Sequence, residues 1–241
     1  MAYRSIASQQ GEFELEILVG TPEGKIEAVR AALPAGAKVV AESTEPGLAK
    51  KLDLLLRELS VDCDNIGWLG DDDLLTEGSI AQSVAAFEKD SAVVMTYGGC
   101  DYTDANGDVI FTNQSGEWAS KILRFGPQLI PQPGSLMRRA AFEKTKGLSN
   151  EFALAFDFDL FLQLKNQGKF SYLNQTLAQF RWHPNSLSVK RRMRSATEAS
   201  RVRRRHYNGL ANLIWWLWEP FVILATWAAG KLVTLRTSRK S

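Results

Sequence analysis

The apolar positions of this chain change period repeatedly, and the changes mark its elements. Residues 3–9 read as the end of a helix that stops at Gly11. Phe13-Glu14-Leu15-Glu16-Ile17-Leu18-Val19 alternates and then becomes continuously apolar, as a strand entering a sheet does. A loop at Gly20–Gly24 leads into a short amphipathic helix over 25–33, with Ile26, Val29, Ala32 and Leu33 on one side and Pro34 closing it. Lys38-Val39-Val40-Ala41-Glu42 predicts a second strand. Leu48, Leu52, Leu55, Leu56 and Leu59 are spaced for a helix over 47–59, and residues 64–70 form the next strand. Thr76 is placed to cap a following helix that faces Ile80, Val84 and Phe87 inward. Ala92–Tyr97 is again a strand. This β, α, β, α succession predicts a mostly parallel sheet covered by helices.

After residue 100 the pattern changes. Asn106-Gly107 separates two strand-like pieces and signals a hairpin. A calcium loop with its glycine at Gly107 would begin with Tyr102 and end with Asn113, where carboxylates are required, so that spacing fails. The prolines of 126–139 hold an extended loop that runs into a short strand, and 140–146 form a helical turn ending at Gly147. Phe158, Phe161 and Leu162 define a helix face, with Gly168 as its stop. Lys169–Leu173 and Leu177–Pro184 read as two further extended pieces.

With 241 residues, 45% of them hydrophobic, the chain is long enough for one α/β domain with an appendage and is unlike a disordered protein. Its net charge of +2 conceals an asymmetry. Residues 1–189 carry 17 basic and 25 acidic side chains, and residues 190–241 carry 12 and 2. An acidic body over 1–189 and a basic tail over 190–241 imply two tasks, and the tail's charge fits an anionic surface. Cys63 and Cys100 have no metal-ligand spacing and make no disulfide framework, and the N-terminus has no apolar signal region. Both features fit a reduced, cytoplasmic setting.

The densest chemistry lies where the third strand ends, at Asp71-Asp72-Asp73. Three adjacent carboxylates repel one another unless a cation joins them, and Mg²⁺ typically takes one or two carboxylates plus substrate phosphates. A solvated acidic turn is the competing reading. Asp157 falls at or near a helix N-terminus, where the dipole favours an ionised carboxylate, and a simple helix cap explains it equally well from the sequence alone. A metal-dependent phosphohydrolase would need a nucleophilic aspartate followed by a lysine and paired acidic residues, and that order is not present.

Taken in order, five motifs resemble the family 2 glycosyltransferases, nucleotide-sugar enzymes of the A-type glycosyltransferase fold. They are Trp68-Leu69-Gly70-Asp71-Asp72-Asp73, Tyr97-Gly98 with Asp104 and Gly107, Pro131-Gln132-Pro133 before Arg138-Arg139, Phe156-Asp157-Phe158-Asp159-Leu160, and Leu177-Ala178 with Arg181 and His183. The resemblance covers roughly residues 3–187. It implies an inverting transfer of a sugar from a nucleotide-sugar donor to an acceptor hydroxyl, in surface polysaccharide or glycolipid assembly. Asp71–Asp73 take the place of the family's DxD-type motif, with Asp71 and Asp73 as ligands of Mg²⁺ or Mn²⁺ on the donor diphosphate. Asp157 takes the place of the catalytic base, and Arg181 joins the donor site. Gln132, Asp159 and His183 fall to the acceptor side; Asp159 is the second choice for the base, with a supporting or structural carboxylate its preferred role, and His183, like Arg181, is placed either to reach the diphosphate or to shape the acceptor loop. Two departures accompany these matches. Met1 begins inside what would be the helix after the family's first strand, and Lys50 stands where members often carry Asp. They leave a catalytically inactive, truncated glycosyltransferase-like module as the alternative.

The tail couples an arginine-rich stretch over 190–206 to an apolar, tryptophan-rich segment over 210–230. That segment is about long enough to span a bilayer. Glu219 and Pro220 in its middle argue against a simple span, because a central carboxylate costs about 2.5–3.5 kcal/mol on insertion scales. Tryptophans favour the interface and arginines favour anionic lipid. The reading preferred here is a helix, or two half-helices broken at Pro220, on the cytoplasmic face of a membrane. A single span or a buried packing helix are the alternatives. No base-reading motif accompanies the arginines, so nucleic acid is not the expected partner. A membrane location fits a lipid-linked saccharide acceptor.

Overall fold

The computed structural model describes residues 1–34, 37–182 and 192–237. The fold is built on two long strands. β5 (Val93–Thr103) is buried from Val93 through Cys100, as its uninterrupted apolar run requires. β8 (Lys169–Arg181) lies parallel beside it from Val93↔Lys169 to Thr103↔Arg181. On the other side of β5, its first half pairs with β7 (Leu136–Arg138) and its second half with β6 (Val109–Asn113). β7 passes the sheet on to β3 (Asn65–Ile66), and β8 passes it to β4 (Leu74–Leu75). The order is β3-β7-β5-β8-β4, with β6 on β5. Strands β1 (Leu18–Thr21) and β2 (Lys38–Ala41) form a separate parallel pair.

The six-stranded sheet is therefore mixed, which corrects the expectation of a mostly parallel one. Among the described pairings within it, only that of β5 with β8 is parallel. The cause lies in the connections. Parallel neighbours need a long crossover, whereas antiparallel ones can be joined by a tight turn. After β5 the chain turns back at Asn106-Gly107, where Gly107 has φ +95°, and later returns through the proline loop. One crossover remains, through α7 (Phe156–Lys165) into β8. The extended piece read at 169–173 and the first part of that read at 177–184 merge into β8, and its pairing with β5 shifts register around Gly98 and Gly99. A Cβ on Gly98 would lie 2.6 Å from Leu177 Cγ and 2.7 Å from Gln175 O, so that approach requires glycine.

Helices α1 (Ala2–Ala7), α2 (Ile26–Ala32), α3 (Leu48–Glu58) and α4 (Ser79–Lys89) follow the predicted periods. Thr76 does not cap α4. Gly78 precedes the helix at φ +73°, and the Thr76 hydroxyl donates instead to Thr176 O (2.7 Å), fastening β4 to β8. α5 (Trp118–Ile122) and α6 (Arg139–Phe142) flank the proline loop. The main core joins Leu56, Met95, Tyr97, Phe142, Phe158 and Leu162.

The tail comprises α8 (Arg192–His206), α9 (Leu210–Ile214), a 3₁₀ turn at Trp215–Leu217 and α10 (Glu219–Thr237). α8 packs on α7 and places Val202 in the core. Arg203 and Glu219, both about 1% exposed, form a buried ion pair (Nε to Oε1 2.9 Å), and Tyr207 Oη donates to Glu219 Oε2 (2.9 Å). The break in the apolar segment falls at Trp218, ahead of Pro220. Proline is tolerated in a first helical turn, where its missing N–H would lack a partner anyway. Among the described residues no single helix is long and apolar enough to cross a membrane. Leu210–Leu217 and Glu219–Ala228, bent by 56°, meet the length and composition together.

Removing one member of a buried ion pair strands the other, at about 3–5 kcal/mol. Arg203→Met is expected to release α10, seen as faster amide hydrogen exchange there, while the paired change Arg203→Met with Glu219→Leu restores most of the protection. Unchanged exchange in the single variant would show that the pair does not hold the tail.

Candidate functional site

The acidic turn is set by strand pairing on both of its sides. β3 delivers the chain to Gly70, and β4 takes it up against β8, with Leu74 opposite Gln179. That register brings Asp73 to the end of β8, where its Oδ1 accepts the Arg181 backbone N–H (3.1 Å). The Asp73 N–H donates to Gly70 O (3.3 Å) and closes the turn. Asp73 is buried, whereas Asp71 and Asp72 are exposed. Burial pushes the Asp73 carboxyl up to about 6, with the fields of Asp72 and Asp71 adding to the shift and the Arg181 N–H opposing it. A Cβ on Gly70 would meet Asp73 Oδ2 at 2.8 Å and Asp72 Oδ1 at 3.1 Å. Two carboxylates therefore converge over a residue with no side chain. The structure places Asp72, rather than Asp71, beside Asp73 at that point.

The Arg181 guanidinium reaches Ala105 O (3.4 Å) and Met1 Sδ (3.7 Å). It thus lies by the β5–β6 turn, at the same end of the sheet as the acidic residues. Among the described residues no group of three or more His, Cys, Asp and Glu side chains is arranged to hold a metal ion. What the turn offers a cation is a pair of carboxylates, with a third negative charge adjacent in the chain.

Asp157 stands in the first turn of α7, as its flanking pattern predicted. Its Oδ2 accepts Gln128 Nε2 (3.0 Å) and its Oδ1 accepts the Phe158 N–H (2.8 Å). Burial raises its pKa, and these two hydrogen bonds hold the rise back. Gln128 lies on the proline loop and had no assigned role in the sequence. An amide among prolines carries no signal until the loop is folded over α7. Tyr102 is the second residue missed. It stacks between Phe111 and Phe180 (ring centroids 5.8 and 5.2 Å) near the C-terminal end of β5. Burial is the main cause that raises its phenol pKa, and the fields of both Asp73 and Asp157 add to it. Tyr102 therefore lies within the field of both Asp73 and Asp157.

Gln132 donates from Nε2 to Trp68 O (2.8 Å) and so ties the proline loop to the strand that leads into the acidic turn. Its carboxamide lines a small recess with Trp68, Met95, Ser135 and Phe161. Asp159 is placed elsewhere. Two residues along a helix amount to a rotation of about 200°, so Asp157 and Asp159 point to opposite sides. Asp159 is buried, accepts Gln163 Nε2 (2.9 Å) and meets His206 Nε2 (2.9 Å), which makes it the carboxylate onto which α8 docks. Its placement does not support an acceptor-binding role. His183 lies outside the described residues.

No protein-family model matches the chain, and no curated protein matches it in sequence. Its fold is similar to that of TarS from S. aureus. A crystal structure of TarS 1-349 superposes with a TM-score of 0.58 at 15% identity, covering 98% of this chain and 68% of that one. A second TarS structure superposes with a TM-score of 0.53, also at 15% identity, over 85% of this chain and 39% of that chain. This chain therefore spans well under half of the second TarS chain, and at such identity the similarity is one of fold.

Proposed function

We propose that this chain is a glycosyltransferase that takes a sugar from a nucleotide-sugar donor and passes it, with inversion, to an acceptor hydroxyl. The carrying observation is that the pairing of β4 with β8 holds Asp73 against the Arg181 N–H at the C-terminal end of β8, with Asp72 converging beside it over Gly70. In open α/β sheets that end is where ligands bind. The sequence motifs of family 2 glycosyltransferases and the fold similarity to TarS, itself a glycosyltransferase of that family, support the same reading.

The chemistry follows from the two charged groups. Asp157 takes the proton of the acceptor hydroxyl as its oxygen bonds to the anomeric carbon. The bond from that carbon to the donor diphosphate breaks, and its electron pair leaves with the diphosphate. The raised pKa of Asp157 brings it closer to the working pH, where a general base is most effective, and Gln128 holds its Oδ2 in place. The acidic turn would repel a diphosphate by itself. Asp72 and Asp73, converging over Gly70, fit a hard divalent cation such as Mg²⁺ or Mn²⁺, which takes one or two carboxylates plus phosphate oxygens. When bound, such a cation would neutralise the charge that grows on the leaving diphosphate. Arg181 adds a fixed positive charge near the same turn. For the acceptor, the reading extends to a saccharide of surface polysaccharide or glycolipid assembly.

Asp157→Asn is expected to leave nucleotide binding nearly unchanged and to slow transfer by about 10²–10⁴-fold. In the unchanged chain the acid limb of the pH–rate profile should lie above the ordinary aspartate pKa of about 3.9, because the raised Asp157 must ionise before it can accept a proton. Transfer by Asp157→Asn at the unchanged rate would remove the base assignment. Asp73→Ala discards a buried carboxylate with an elevated pKa, so folding should survive the change. Calorimetric titration with UDP, GDP and dTDP, each with and without Mn²⁺, should show metal-dependent binding of one nucleotide by the unchanged chain and none by the variant. A folded, unchanged chain that binds none of the three would defeat the donor-site reading.

A further inference from the structure

Glu219 decides what the tail presents to its surroundings. In the sequence it interrupts an apolar stretch, but in the structure it is fully buried against Arg203 and Tyr207. It is the lone carboxylate between residues 207 and 231. Turning it inward leaves an outer face without acidic groups. That face carries Leu210, Leu213, Trp216, Leu217, Phe221 and Leu224, all at least 50% exposed. Leu210, Leu213 and Leu217 precede the bend and Phe221 and Leu224 follow it, at steps of three or four residues on each side. Polar groups near the bend are taken up internally. Trp218 Nε1 donates to Tyr207 Oη (3.2 Å), and Thr226 Oγ1 donates to Val222 O (2.7 Å).

Cations lie against two tryptophan rings of the same elbow. Exposed Arg204 stacks on the Trp215 ring at 4.1 Å, and exposed Lys231 lies 5.2 Å from the centre of the Trp227 ring. Arg201 is also exposed, from the same helix as Arg204. Apolar side chains flanked by tryptophan–cation pairs match the layering of a membrane–water interface, where aromatic rings sit at headgroup depth and cations meet anionic lipid.

We infer that the bent α9–α10 elbow is a lipid-docking surface that lies in one leaflet of an anionic membrane, with Arg204 and Lys231 at the headgroups. The 56° bend suits this placement: α9 and the first turns of α10 can rest in the interface while Arg203 and Glu219 keep the elbow attached to the folded body. The surface is independent of the catalytic reading, since none of its residues belongs to the acidic turn or touches Asp157.

The test is co-sedimentation of the full chain with phosphatidylcholine vesicles, with and without phosphatidylglycerol. The chain should pellet with the anionic vesicles, and about tenfold or more weakly with the neutral ones, as loss of cation attraction predicts. Added salt should weaken the anionic binding. Leu213→Asp with Phe221→Asp should abolish pelleting while circular dichroism stays unchanged, both positions being exposed. Alkaline carbonate should strip the bound chain from the vesicles, as expected for a segment that lies on the membrane. Failure to pellet with anionic vesicles would overturn the inference, as would equal pelleting of the double variant. Resistance to carbonate would replace it with a spanning segment. A lipid-free dimer that the double variant converts to monomer, with vesicle binding unaffected, would reassign the face to self-association.

Discussion

The parallel pairing of β5 with β8 is the constraint on which the other parts depend. Every route to the site passes through it. β4, which follows the acidic turn, is fixed by β8, and the hairpin that carries Tyr102 begins on β5. α7, which carries Asp157, leads directly into β8 and packs on β5. The pairing itself rests on the lack of a side chain at Gly98, where Leu177 and the Gln175 carbonyl occupy the space a Cβ would need. A larger residue there would press on the register that brings Asp73 to the Arg181 N–H. Local sterics at one glycine are thus coupled to the electrostatics of the turn.

Negative charge is concentrated where the sheet ends, and the protein only partly offsets it. Asp73 is desolvated and receives two backbone N–H groups' worth of compensation at most, from the Arg181 N–H and its own turn, while Asp71 and Asp72 add repulsion. Such an arrangement costs stability in the free protein. Asp157 and Asp159 give a second contrast. They are chemically identical and two residues apart, yet α7 turns one toward Gln128 and the other toward His206 and α8. Helical rotation alone sends one to the proline loop and the other to holding the tail against the body.

The tail shows how burial redistributes polarity. A carboxylate in the middle of an apolar segment reads as an obstacle to lipid, and it would be one if it faced outward. Paired with Arg203 and Tyr207 it becomes the attachment point of α10, and the arginine-rich helix spends one of its charges on that contact. Arg201 and Arg204 remain at the surface. The basic composition of α8 therefore serves two ends, internal pairing and external charge, which a count of charges does not separate.

The sequence by itself determined much of the element list. Period-2 and period-3.6 patterns placed α2, α3, α7 and the hairpin at Asn106-Gly107, because those signals depend on neighbours in the chain. The acidic turn and Asp157 were also legible, since three adjacent carboxylates and a carboxylate at a helix start are local facts. Tertiary structure decided what local pattern does not encode. It made the sheet mixed, because β4, β6 and β7 pair antiparallel with their neighbours. It moved Thr76 from a helix cap to a cross-strand hydrogen bond and brought Gln128 to Asp157 from 29 residues away. It set Asp72 beside Asp73 over Gly70, and it drew Glu219 inward to a partner 16 residues earlier. In each case the deciding contact joins groups distant in sequence, and its sign depends on whether a partner is within reach once solvent has been excluded.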